Sequence, residues 1–155
     1  ANFVGAAGLA LLVYFSGHTH MNGGQVGQTV LRIALAKQNL PWQEAFLRGV
    51  LCNVLVCMAV WMAMAGRSVI DKAVAIVFPI SAFVAAGFEH SIANMYLMSL
   101  ALCIQFFEVD AAQHSLTVLG MLGNLLPVIL GNLVGGSVLV GLVYHLIYLS
   151  PPASH

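Results

Sequence analysis

Glu89 and His90 stand side by side in the apolar run Ala73–Phe107, which holds no other charge and no second histidine. Ionisable side chains in a segment apolar enough for lipid are costly, and they mark ion pathways and proton relays. An imidazole titrates near neutral pH and can donate a hydrogen bond to an anion. In apolar surroundings it resists charging unless an anion sits beside it. Together these properties couple passage of an anion to protonation of His90; the alternative is a histidine satisfied by a carbonyl at an irregular stretch of backbone. Glu89 would repel an anion, so its expected role is to accept hydrogen bonds from backbone N–H groups freed by a helix break.

Four more residues could serve the same chemistry. Asn94 falls one turn beyond His90 and can brace the break or make a helix–helix contact. Phe83, two turns before His90, falls near the same face, as an apolar constriction or as packing. Asn53 is the strongly polar residue of the run 49–65; it can line a pore or bond a neighbouring helix. Lys37 lies in an amphipathic stretch, where it can draw anions toward an entrance or anchor the interface.

Other chemistries find less support. His18 and His20 alternate and could hold a metal with His114, but spacing fixes no third ligand. Cys52, Cys57 and Cys103 all lie in apolar runs without zinc-ligand spacing, and read as small hydrophobes. Ser91 beside His90 is no nucleophile pair, because neighbours on a helix diverge. There is no H-E-x-x-H, no G-x-S-x-G and no phosphate-binding glycine loop. No cofactor, no metal and no enzymatic activity are expected.

The elements that must position these residues are membrane helices. The chain is 61% hydrophobic and only 6% charged, with mean hydropathy +0.96, whereas a soluble domain is about a quarter charged. A chain of 155 residues has too little interior to hide so much apolar surface from water. Formal net charge is zero and no basic patch exists, so nucleic acid is excluded as a partner. The chain opens on Ala1 without a basic n-region or a cleavage motif; residue 1 reads as a cut edge, with spans expected upstream and all of 1–155 forming one transmembrane domain.

Four apolar runs follow. Residues 3–16 end at a polar breaker, Ser16-Gly17-His18-Thr19-His20-Met21-Asn22-Gly23-Gly24. Helix resumes through Val30–Ala34 toward Lys37, and Asn39-Leu40-Pro41-Trp42 predicts a turn with Trp42 at the interface. Residues 49–65 are the cleanest span, closed by the charged loop 66–72. The run 73–107 would measure roughly 50 Å as one helix against a hydrocarbon core of about 30 Å. It therefore reads as half-helices 73–86 and 91–107, joined by irregular backbone at Gly87–His90. A polar loop spans 108–115. The run 116–149 is again over-long, and Gly123-Asn124, Pro127, Gly131-Asn132 and Gly135-Gly136 predict another break, the last two pairs as counterparts of Asn22-Gly23-Gly24. Broken helices at corresponding positions mark inverted-repeat transporters. Arg67 and Lys72 on one side and three basic residues in 17–48 on the other leave orientation undecided.

The stretch Phe83-Val84-Ala85-Ala86-Gly87-Phe88-Glu89-His90-Ser91-Ile92-Ala93-Asn94-Met95 resembles the formate/nitrite transporter family. So do Gly49–Cys57 with Ala59-Val60-Trp61-Met62, Asn124-Leu125-Leu126-Pro127-Val128, and Gly131-Asn132-Leu133-Val134-Gly135-Gly136. The resemblance runs over essentially the whole chain. It implies an all-α integral membrane protein with an aquaporin-like fold of six spans, of which this chain supplies about four, the third to sixth. It implies a homopentamer in the lipid bilayer of the bacterial inner membrane, with one pore per protomer and the 66–72 loop and C-terminus in the cytoplasm. It makes His90 the central pore histidine. Phe83 and Val56 become the periplasmic-side constriction, Lys37 and Asn53 the vestibule, and Glu89 and Asn132 supports of the broken helices. The family's other broken helix, whose threonine faces the central histidine, is not in this sequence. No Asn-Pro-Ala box occurs, which argues against a water or glycerol channel. The expected substrate is a small monovalent anion, formate first, crossing passively or with protons; nitrite and hydrosulfide are the near alternatives. A structural subunit of a membrane complex is the alternative from another class.

Overall fold

The computed structural model describes residues 1–108 and 115–148. All regular structure among them is helical: α1 (Asn2–Phe15), a 3-10 turn (His18–His20), α2 (Gln25–Gln38), α3 (Trp42–Ala65), α4 (Val69–Ala85), α5 (Ser91–Phe107), α6 (Val118–Leu133), a π-helix (Val134–Leu142) and α7 (Val143–Tyr148). Two helical stretches, Trp42–Ala65 and Val118–Tyr148, are long and apolar enough to cross a membrane. The most apolar windows of these two are only 22% and 33% buried, unlike the core helix of a soluble protein. Their exposed Leu, Val and Met side chains need lipid or further protein around them.

The chain folds into two compact units: Ala1–Glu44 with Ser91–Pro127, and Ala45–His90 with the chain from Val128 onward. In the first unit α1 and α2 both pack on α5. Ala10, Ala34 and Ala101 have no exposed surface; small residues let helices approach closely where lipid offers no hydrophobic drive to associate. Leu31, Met98, Ile104, Leu116, Met121 and Leu125 fill the space around them. The breaker after α1 takes the form expected from its glycines. Gly17, Gly23 and Gly24 adopt left-handed φ of 77°, 65° and 85°, with Asn22 at 53°.

The approach to α6 is held by side-chain amides. Gln38 Nε2 donates to the Ser115 carbonyl, and the Thr117 N–H donates to Gln38 Oε1, both at 2.9 Å. From the other side Gln105 Nε2 donates to the Leu116 carbonyl at 2.9 Å, and the Leu116 N–H donates to Gln105 Oε1 at 3.0 Å. Four backbone groups of a non-helical segment are thereby satisfied, as burial of Leu116 requires. The Thr117 hydroxyl then accepts from the Gly120 N–H at 2.9 Å and caps α6.

In the second unit α3 and the helix from Val128 run backbone against backbone. A Cβ on Gly131 would collide with the Phe46 carbonyl, and one on Gly135 with the Val50 carbonyl; one on Gly49 would stand 2.9 Å from the Val128 carbonyl. Trp61 stacks on Tyr144 at 4.1 Å, and Tyr144 on Tyr148 at 5.6 Å.

Helix α4 begins with a reciprocal cap. The Asp71 N–H donates to Ser68 Oγ at 3.1 Å, while the Ser68 and Arg67 N–H groups donate to the Asp71 carboxylate at 3.0 and 3.2 Å. The Ser68 backbone bond, then the Ser68 hydroxyl and the Arg67 N–H, hold the Asp71 carboxyl below its ordinary value. A carboxyl depressed in the folded state adds stability above its unfolded pKa of about 3.9, and that contribution is lost as pH falls through the folded value. Thermal unfolding of Asp71→Asn is therefore expected to differ from wild type at neutral pH and to converge on it as pH falls below about 4. An offset that persists in acid would refute the cap's role.

Three expectations about boundaries change. Helix α4 starts at Val69 rather than 73, inside the expected charged loop, because Ser68 and Asp71 cap it there. Helix α3 starts at Trp42, not Gly49: Pro41 ends the preceding turn, and residues 42–48, where Gln43, Glu44 and Arg48 mix with apolar side chains, are already helical although hydropathy marks only the part after them. The break expected within 123–136 is absent, and Pro127 lies inside α6. The chain from Val118 to Tyr148 stays helical, with the glycine-rich segment wound as a π-helix. Glycine here serves close approach to α3, and the backbone keeps its hydrogen bonds inside the helix. The expected break at Gly87–His90 is present, between Ala85 and Ser91.

Candidate functional site

The break opens because α4 ends in a Schellman motif. The Phe88 N–H reaches back to the Phe83 carbonyl at 3.0 Å, the Gly87 N–H to the Val84 carbonyl at 3.1 Å, and Gly87 carries φ of +67°. That pattern needs a left-handed residue after the C-cap, which glycine supplies without steric cost. The chain then turns so that His90 returns over the residue whose carbonyl was just capped. The rings of Phe83 and His90 stack with centroids 5.9 Å apart and planes at 21°. Both side chains are partly exposed.

Glu89 is buried, with 3% of its surface exposed. Its N–H donates to the Arg48 carbonyl at 3.4 Å, and its carbonyl accepts from Asn132 Nδ2 at 3.0 Å. The same Asn132 nitrogen donates to the Gly49 carbonyl at 2.8 Å. One carboxamide therefore ties α3, the break and α6 together. Asn53 Nδ2 donates in turn to the Asn132 carbonyl. Of the two readings open for Asn53, an interhelical hydrogen bond is formed. Val56, three residues beyond Asn53 on α3, is partly buried.

The second unit thus gathers His90, Phe83, Glu89, Asn53, Val56 and Asn132. Lys37 and Asn94 belong to the first. Lys37 sits in the last turn of α2 and is partly buried. Asn94, in the first turn of α5 and 1% exposed, donates to Asn124 Oδ1 at 2.9 Å. Asn124 Nδ2 donates to the Lys37 carbonyl at 2.9 Å. Asn124 was expected only as part of a helix break, not as a bonding partner. The available signal was its polarity in an apolar run, eight residues before Asn132 and therefore near the same helical face. His20 Nε2 lies 3.9 Å from Glu108 Oε1; His114 lies outside the described residues. Among the described residues no three His, Cys, Asp or Glu side chains cluster as a metal site.

Comparison with known proteins agrees with this architecture. The family model described as Formate/nitrite transporter matches residues 1–146. The formate channel FocA of Escherichia coli K12 is 42% identical over 99% of this chain and 58% of its own length. Formate-nitrite transporter 2 of Toxoplasma gondii is 40% identical over 86% of this chain and 27% of its own. A solved structure described as a pentameric formate channel with formate bound superposes with a TM-score of 0.88 at 37% identity, over 96% of this chain and 62% of that one. The chain thus spans somewhat under two thirds of FocA and of the solved channel. On its sequence and its fold, the chain belongs to the formate/nitrite transporter family.

Proposed function

We propose that this chain forms part of a channel for small monovalent anions, formate first, passive or proton-coupled, in the bacterial inner membrane, working as a homopentamer. The observation that carries the proposal is the Phe83–His90 ring pair, set at a helix break that Gly87 turns and Asn132 holds. Both units contribute to one transmembrane domain. Lys37 raises the local anion concentration in the vestibule. Phe83, with Val56, narrows the path and strips water. His90 shares or donates a proton as the anion passes, because a neutral acid crosses an apolar constriction at far lower cost than a charged one. Glu89, Asn94 and Asn132 hold the backbone around the break. The formate channels among the relatives favour formate; the family's name keeps nitrite beside it.

The test is formate flux into proteoliposomes made with the full-length protein. His90→Ala is expected to lower flux at least tenfold at acidic pH, about the loss of one proton donor, and to flatten its pH dependence. Undiminished flux in that variant would sink the proton role. Parallel measurements with nitrite and hydrosulfide rank the substrates, and no flux of any of the three through the assembled protein would favour a structural subunit.

A further inference from the structure

We infer that Asn124 is a positioning residue for Lys37, fixing where the anion-attracting ammonium group is presented; this rests on the vestibule role proposed for Lys37. Lys37 is the penultimate residue of α2, and the last carbonyls of a helix have no donor within it. The Lys37 carbonyl accepts from the Leu40 N–H at 3.2 Å and from Asn124 Nδ2 at 2.9 Å. The Asn124 amide cannot flip, because Asn94 Nδ2 donates to its oxygen; a flipped amide would set N–H against N–H there and oxygen against oxygen at Lys37.

Both asparagines are essentially buried, with 1% and 2% of their surface exposed. Two carboxamides in apolar helices are costly unless satisfied, and a leucine pair would pack the same space. The neighbouring residue is gripped as well. Gln38 bonds Ser115 and Thr117, and Gly120 leaves the room that its side chain occupies, since a Cβ there would collide with it. The last turn of α2 is thus pinned at two consecutive residues, which fixes the direction in which the flexible lysine side chain leaves the backbone. Asn94, at the start of the half-helix that follows His90, belongs to the same chain of bonds, so the downstream side of the break and the lysine-bearing turn share one hydrogen-bonded support.

The experiment measures initial formate uptake by the full-length protein in proteoliposomes, against formate concentration and ionic strength. The variants are Lys37→Met, Asn124→Leu, Asn124→Ser, and Asn124→Leu combined with Lys37→Met; pentamer assembly is checked by size-exclusion chromatography. Asn124→Leu is expected to raise the half-saturating concentration about fivefold, the equivalent of one neutral hydrogen bond, to weaken the salt dependence, and to leave the maximal rate within about twofold. In the Lys37→Met background it adds no further change. If Asn124→Leu fails to assemble, Asn124→Ser, whose short side chain keeps a polar group but does not reach the Lys37 carbonyl, carries the test with the same expectation. A fall in maximal rate with half-saturation and salt dependence unchanged would make Asn124 merely structural and overturn the inference. So would wild-type behaviour of the assembled variants while Lys37→Met is impaired. Wild-type behaviour of Lys37→Met itself would instead refute the vestibule reading beneath it.

Discussion

Asn132→Leu is expected to lower the stability of the purified full-length protein by about 2–3 kcal/mol and to abolish most formate flux. The magnitude follows from what the Asn132 amide holds. The Glu89 carbonyl lies in the break, outside any helix, and accepts from Asn132 Nδ2 at 3.0 Å; removing a donor from a buried polar group costs about 1–3 kcal/mol. The Gly49 carbonyl is inside α3 and keeps its intrahelical donor, so losing its 2.8 Å bond adds less. Asn132→Asp is the sharper variant. It keeps the shape, removes both N–H groups and turns a carboxylate toward two carbonyl oxygens in a site only 8% exposed. A buried charge facing like partial charges is worse than an apolar replacement. The expected order of unfolding temperatures is wild type, then Leu, then Asp; an Asp variant as stable as wild type would remove the amide from the account of the break.

Gly131→Ala is expected to destabilise by about 3 kcal/mol or more, although alanine is the better helix former. The new Cβ would meet the Phe46 carbonyl, the Val50 N–H and the Gly49 Cα. All three are backbone atoms in a helix, so α3 and α6 must move apart and the Asn132 bonds to Gly49 and Glu89 stretch with them. Gly123→Ala on the same helix is the control. Nothing lies within 4 Å of a Cβ there, and the change should be neutral or stabilising by up to about 1 kcal/mol. Equal thermal stability of the two variants in detergent would show that the backbone contact does not govern the position.

The residues that build the break differ in how much of their role is local. Gly87 acts through bonds to residues within five positions, so an apolar run with one glycine before two ionisable groups was enough to place it. The ends of α4 and α5 were legible for the same reason, as was the left-handed turn after α1. Helical spacing put Phe83 near the face of His90, but the stacking of their rings was not legible, because it depends on the path of the five non-helical residues 86–90. The glycines at 131, 135 and 136 misled: in sequence a glycine that breaks a helix looks the same as one that lets another backbone approach, and only the position of α3 distinguishes them.

The sequence by itself determined the class of protein, the apolar runs, the breaks at 17–24 and 87–90, and the residues with ionisable or amide side chains inside those runs. Each is decided by solvation or by hydrogen bonds between near neighbours, and both are properties of short stretches. The tertiary structure alone decided which carbonyl each amide reaches. Asn132 serves Gly49 and Glu89 at separations of 83 and 43 residues, and Asn124 serves Lys37 at 87. Those pairings exist only where segments distant in sequence are brought to bonding distance, about 3 Å, and no pattern along the chain records that approach.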